Sequence, residues 1–247
     1  IKNKKFISSN EKKIFKKKNI QIIFCKKCLL IQKKIDRDYK STIKKIYFSY
    51  HNSDKLEINE VYNKNYKTRN HFVIQTILKK FSKKIKKIKI LDFGAGKCNL
   101  INGIDKNYSK YKYFAFDLKK PKNIYNKNIT PEKYFEENID NIYGKFDVIV
   151  LQHSFEHLIS PVETIKKLIK FLNKGGFIYI QSPNIYQKKL DLYTYDHVFH
   201  LSNSSASNLS VILKKKIEIK NDYINELSLF VFNKKNTRKK FNKSSSF

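Results

Sequence analysis

Apolar residues recur along this chain with two different periods. Val73, Ile77, Phe81 and Ile85 return every fourth position, which predicts an amphipathic helix in the segment that begins near residue 58. Four apolar runs follow and read as strands: "IKILDF" from Ile88, "YFAFDL" from Tyr113, "FDVIVLQH" from Phe146 and "FIYIQSPN" from Phe177. "CNLINGI", after the first of them, is predicted to open a helix. Ser160, Pro161 and Glu163 have the spacing of a capping box with proline in the first turn. The helix they start carries Ile165, Leu168, Ile169 and Leu172 as its buried stripe, and Gly175 and Gly176 are its predicted stop. A further capped helix, "SNSSASNLSVIL", precedes "KIEIKNDYI" and "LSLFVFNKK", two β-rich runs that predict a hairpin. Strands alternating with helices predict an α/β fold, with a mostly parallel sheet covered on both faces.

Domain organisation follows from composition along the chain. Residues 1–57 form a lysine-rich N-terminal appendage, 58–235 the main domain, and 236–247 a basic tail expected to be disordered. With 247 residues the chain can bury a sizeable core. No apolar run approaches the ~18 residues of a membrane span, and no signal-peptide pattern is present. Three cysteines do not make a disulfide framework, so a cytoplasmic location is expected. The chain opens on Ile1 and contains no Met, which suggests a fragment or a start that lies upstream.

The formal charge of +32 points first to nucleic acid or another anionic partner. Only Arg37, Arg69 and Arg238 are arginine, however, and arginine is the side chain suited to bidentate phosphate and base contacts. The excess is lysine on solvated faces, which argues against a dedicated nucleic-acid site while still attracting small anions.

Candidate chemistry centres on "LDFGAGKCNL". A dinucleotide loop would read G-x-G-x-x-G, but from Gly94 and Gly96 the third glycine position holds Asn99. Asp92 stands at the carboxyl end of the first strand, where it would repel a pyrophosphate and favour a cationic group. Some 20 residues on, Asp117 ends the second strand, in position to accept hydrogen bonds from two ribose hydroxyls. The pattern fits a nucleoside with a ribose, no phosphate and a positive amino-acid end.

On these residues the sequence resembles the class I S-adenosylmethionine-dependent methyltransferases from about residue 70 to 235. "DFGAGKC" is similar to the family's D/E-x-G-x-G-x-G motif, with Cys98 at the last glycine. "FDVIVLQHSFEHL" and the later "LNKGGFIYIQSPN" resemble its fourth and fifth strands. The resemblance implies a Rossmann-like, doubly wound, mostly parallel seven-stranded sheet ending in a β-hairpin. It implies a cofactor site of Asp92, Gly94, Ala95, Gly96, Asp117, Leu118, Gln152 and His153. Glu156 and His157 match the "EH" of many relatives, in a structural or a catalytic role. No acid for the adenine is assigned.

Two more stretches resemble a sugar C-methyltransferase-like group. "FCKKCLLIQ" is similar to a CxxC segment of its zinc-binding N-terminal region, which makes Cys25 and Cys28 candidate zinc ligands. "LYTYDHVFHLSNSSASNL" resembles a segment after the fifth strand, where His197 matches a histidine, Asp196 replaces Glu, and Thr194 stands where relatives carry a tyrosine. The resemblance implies a methyltransferase acting on a small anionic acceptor, a sugar or nucleotide-sugar, at carbon or oxygen. His197 is the first candidate for the base and His153 the second. An RNA or protein methyltransferase using the lysine surface, and a non-catalytic relative, are the competing readings.

Overall fold

The computed structural model describes residues 6–7, 14–15, 20–50, 68–81, 87–104, 110–122, 124, 130–222 and 226–235. The expected disordered tail, and the boundary near residue 57, lie outside them. The chain starts with β1 (Phe6–Ile7), β2 (Ile14–Phe15), β3 (Ile22–Cys25), β4 (Leu30–Lys33) and α1 (Arg37–Tyr50). Then come α2 (Arg69–Leu78), β5 (Ile88–Phe93), β6 (Tyr111–Asp117), β7 (Lys133–Glu136) and β8 (Phe146–Gln152). After these follow α3 (Pro161–Ile169), β9 (Leu172–Pro183), β10 (Phe199–His200), α4 (Asn203–Leu213), β11 (Lys215–Asn221) and β12 (Glu226–Lys235).

The main sheet has seven strands in the order β11-β12-β9-β8-β5-β6-β7. From β9 to β7 all pairs are parallel, and β12 enters antiparallel between β9 and β11, the hairpin foreseen from the sequence. Strand alternation divides the core. Val148 and Val150 of β8 pack with α2 residues Val73 and Ile77 on one face. Ile149 and Leu151 pack with Ile165 and Leu168 of α3 on the other, so the sheet is covered on both sides.

Three local expectations are corrected. The Ser160 side chain makes no cap bond; Glu163 pairs with Lys166 at 2.8 Å instead, and Pro161 alone marks the helix start. Gly175 and Gly176 do not stop α3, which ends at Ile169; they lie inside β9. There the register moves from Phe146↔Leu172 to Val148↔Phe177, and Gly175, at φ 84°, takes the left-handed turn of the bulge. "CNLINGI" forms a 3-10 turn over Asn99–Gly103 rather than opening an α-helix among the described residues. By contrast α4 has the full capping box, Ser202 and Ser205 bonding each other's backbone amides.

The N-terminal segment packs against the main domain. β4 pairs antiparallel with β10, and Tyr39, Ile43 and Ile46 of α1 are buried in the cluster that holds Tyr195, Val198 and Phe199.

The 3-10 turn is pressed onto α2. A Cβ at Gly103 would lie 2.2 Å from the carbonyl oxygen of Asn70, whose side-chain amide donates to the Asn99 carbonyl at 2.8 Å. Gly103→Ala should therefore destabilise the domain by about 1–3 kcal/mol, as overpacking does. Urea unfolding reads this, and an unchanged midpoint would refute the close approach.

Candidate functional site

Strand order reverses between β5 and β8, and the carboxyl ends of β5, β6 and β8 meet there, the place where open α/β sheets bind ligands. The loop after β5 is built by its own amides. Those of Gly94 and Ala95 donate to the Phe116 carbonyl at 2.8 and 3.0 Å, and that of Gly96 to Asp117 Oδ2 at 2.8 Å. Gly94 (φ 81°) and Gly96 (φ 48°) take the left-handed conformations this requires. Cys98 adopts one too, at φ 62°, so the position where the motif carries glycine keeps a glycine's backbone. A Cβ at Gly94 would come within 2.5 Å of Ser154 Cβ, which seats the loop against the end of β8.

With these three amides bonded inside the protein, the loop offers them to no phosphate. Asp92 is buried and accepts from the Tyr113 hydroxyl at 2.6 Å; burial, then the Asp92 charge, push the buried Cys98 thiol up to about 12. Asp117 accepts from Gly96 and, through Oδ1, from the Leu118 amide at 2.7 Å; a carboxylate can accept about four bonds, so the carboxylate can also take hydroxyls. Leu118 presents an exposed apolar side chain beside it. Tyr134 of β7 donates to the Gly96 carbonyl at 3.0 Å, a support the sequence did not reveal.

Gln152 ends β8 with its amide 3.4 Å from Gln181 Oε1. His153 turns the chain at φ 50°, with Nδ1 3.2 Å from Glu156 Oε1 and Nε2 3.2 Å from Glu226 Oε2. Burial opposes the charged ring, but the two carboxylates outweigh it and push His153 up to about 9. Glu226 also meets Lys188 Nζ at 2.8 Å and Arg69 at 3.7 Å.

Behind this network lies a histidine cluster. Asp191 accepts from His197 Nδ1 and His200 Nδ1, both at 2.7 Å; burial disfavours its charge, yet those bonds hold it well below the usual carboxylate range. His157 Nδ1 donates to the Asp196 carbonyl at 3.0 Å, and the His157 and His197 rings meet edge to face at 4.7 Å. Lys33, buried on β4, donates to the carbonyls of Thr194 and His197; burial pulls its ammonium down to about 7 against the pull of Asp191 and Asp196. The N-terminal segment thus braces the turn that carries His197. Beside the cluster an open groove is lined by Tyr186, Lys188, Lys189, Leu190 and Thr194.

The structure brings together Asp92, Gly94, Ala95, Gly96, Asp117 and Leu118 at one end of the site, and His153 and His197 at the other. Cys25 ends β3 and Cys28 lies on the turn to β4, where the Leu29 amide closes on the Cys25 carbonyl at 2.7 Å. Asp191, Lys33 and Glu226 are missed by sequence reasoning, because no local pattern distinguishes them from solvated charges.

A family model described as a methyltransferase domain matches residues 65–216. The mitochondrial ubiquinone biosynthesis O-methyltransferase of Dictyostelium discoideum is 30% identical over 101 residues, 39% of this chain and 28% of that protein. The match thus spans little more than a quarter of that relative's length. Among solved structures, the plantazolicin methyltransferase BamL, in complex with a triazolic desmethylPZN analog and SAH, has a TM-score of 0.56 at 15% identity, covering 79% of this chain and 91% of that one. An O-methyltransferase from neocarzinostatin biosynthesis, in complex with S-adenosyl-L-homocysteine and 1,4-dihydroxy-2-naphthoic acid, has a TM-score of 0.50 at 12% identity, covering 64% and 52%. At these identities the likeness is one of fold. Among the described residues no helix is long and apolar enough to cross a membrane.

Glu226 gives a testable sign. Burial raises its carboxyl, but His153, Arg69 and Lys188 bring it down to about 2 from 4.5. A depressed carboxyl contributes stability above its unfolded value and loses it as pH falls through the folded one. Glu226→Gln should cost about 3 kcal/mol at pH 7, and the deficit should shrink as pH drops from 4.5 towards 2. Chemical unfolding across that range checks it; a deficit that does not vary with pH would contradict the charged pairing.

Proposed function

The chain belongs to the methyltransferase domain family, and from that premise we propose that it transfers a methyl group from S-adenosylmethionine to a small hydroxyl-bearing acceptor. The observation that carries the reading is the Gly96–Asp117 lock at the switch point: a carboxylate fixed to accept hydroxyls, next to a loop whose amides offer nothing to a phosphate. The residues fit this cofactor. Asp117 would hold the ribose hydroxyls, Leu118 and the loop from Gly94 to Gly96 would flank the nucleoside, and Asp92, with Gln152, would face the cationic amino-acid end. When bound, the cofactor supplies a methyl group already activated by its sulfonium.

The protein's own contribution is to position the acceptor and deal with its proton. We assign activation of the acceptor to His197. Asp191 fixes Nδ1 as the donor, which leaves the lone pair on Nε2. His153, with both ring nitrogens on carboxylates and its charge retained to about 9, is assigned to holding Glu156 and Glu226 in place rather than to taking a proton.

Lys188 and Lys189 in the adjoining groove favour an acceptor with an anionic group. An anionic sugar or a nucleotide-sugar meets that description, and the likeness of residues 192–209 to sugar C-methyltransferases supports it. The Dictyostelium relative, an O-methyltransferase, favours oxygen as the methylated atom; the structural neighbours, alike in fold alone, include both an O-methyltransferase and a carbon methyltransferase.

Calorimetry with S-adenosylhomocysteine and transfer of labelled methyl into fractionated extract test the reading. Asp117→Ala should weaken S-adenosylhomocysteine binding by at least about 10-fold, the loss of one to two charge-assisted bonds; unaltered binding would sink the ribose assignment. His197→Ala should lower turnover by about 100-fold or more with cofactor affinity nearly unchanged, and near-normal turnover would remove its role. Label in RNA or protein instead of metabolites would overturn the small-molecule acceptor.

A further inference from the structure

Glu156, His157 and His197 each offer a ligand atom, and the three atoms lie within 4.8 Å of one another. Glu156 is fully buried. Its Oε1 faces His153, while Oε2 has no hydrogen-bond partner among the described residues. A buried carboxylate oxygen left unpaired is costly unless something occupies the space it faces.

The two imidazoles are prepared from behind. A carbonyl can only accept, so His157 Nδ1 must be its donor to Asp196, and His197 Nδ1 is the donor to Asp191. Both rings therefore keep their lone pairs on Nε2. A carbonyl or carboxylate behind each histidine is the arrangement that orients metal-ligating imidazoles and raises their basicity. The Tyr47 ring packs edge-on against His157 at 5.8 Å and fixes it from the N-terminal side.

We propose that Glu156, His157 and His197 bind a divalent first-row transition metal. Two imidazole nitrogens and one carboxylate suit Zn(II), Fe(II) or Co(II) and disfavour the all-oxygen preference of Mg(II) and Ca(II). Ligand atoms around such an ion stand about 3.3–3.5 Å apart, so the site closes by a small side-chain movement on binding. Three protein ligands leave at least one position open. Resting on the reading above that this end of the site takes the acceptor, the open position takes an acceptor hydroxyl oxygen and lowers its pKa. The hydroxyl proton is released to solvent, and His197 acts through the ion.

The test needs no methyl transfer. The full chain carrying Cys25→Ser and Cys28→Ser, which removes competing thiolates, is stripped with chelator and titrated with Co(II), read by its visible absorption, and with Zn(II), read by competition. One equivalent should bind, with no thiolate charge-transfer band. Glu156→Gln or His197→Gln should each weaken binding by at least about 100-fold, and Asp191→Asn, which only removes the partner behind His197, by about 10–100-fold. The absence of a bound equivalent in the Cys25→Ser, Cys28→Ser background, or binding unchanged by both ligand substitutions, would overturn the site. Failure of the two readings is separable: S-adenosylhomocysteine binding without metal retires the metal and leaves the function standing, while metal without S-adenosylhomocysteine does the reverse.

Discussion

Parallel pairing of β5 with β6 on one side and β8 on the other decides where the glycine loop, Asp117 and the turn after β8 end up. The register sets Asp92 beside Ala115 and Val150, so the carboxyl ends of three strands finish level with one another. The connections then leave the sheet in different directions, and the gap between them is the site. The glycine loop fills that gap only because it bonds to β6, through Phe116 and Asp117, and leans on Ser154 after β8.

A second constraint is charge in a dry interior. Glu156, Glu226, Asp191 and Asp196 are all buried or nearly so, and burial of each alone would be prohibitive. The fold answers with His153 between two glutamates, with His197 and His200 on Asp191, and with Lys33 among the turn carbonyls. Acids and partners come from five parts of the chain: β4, the turn after β8, the segment before β10, β10 itself, and β12. The histidine cluster is thus held by ionic and hydrogen-bonded cross-links rather than by a single element. The same cross-links fix histidine tautomers, which links the stability of this region to its chemistry.

The lysine-rich composition has a smaller structural role than its size suggests. Among the described lysines only Lys33 is fully buried, while others such as Lys166 and Lys167 pair with acids on exposed faces, where such pairs contribute little. Lys188 stands between these cases, bonded to a buried glutamate and lining the groove beside the site. Charge matters here by position more than by sum.

The sequence alone determined most strands of the sheet, its hairpin, the glycine loop and the acid that ends β6, because each is written in residues close together in the chain. Apolar runs mark strands, and the Gly94 and Gly96 spacing marks a turn that few other residues can make. It misread Gly175 and Gly176 because a β-bulge and a helix stop ask for the same left-handed backbone. It also missed β7, whose four residues "KYFE" become a strand only by pairing with β6. The histidine cluster was legible only as isolated histidines. Tertiary structure decided that His197 lies on Asp191, that Lys33 reaches it from 164 positions away, and that one Glu156 oxygen has no hydrogen-bond partner among the described residues. Those facts depend on which charges share one buried volume, and sequence spacing carries no record of that.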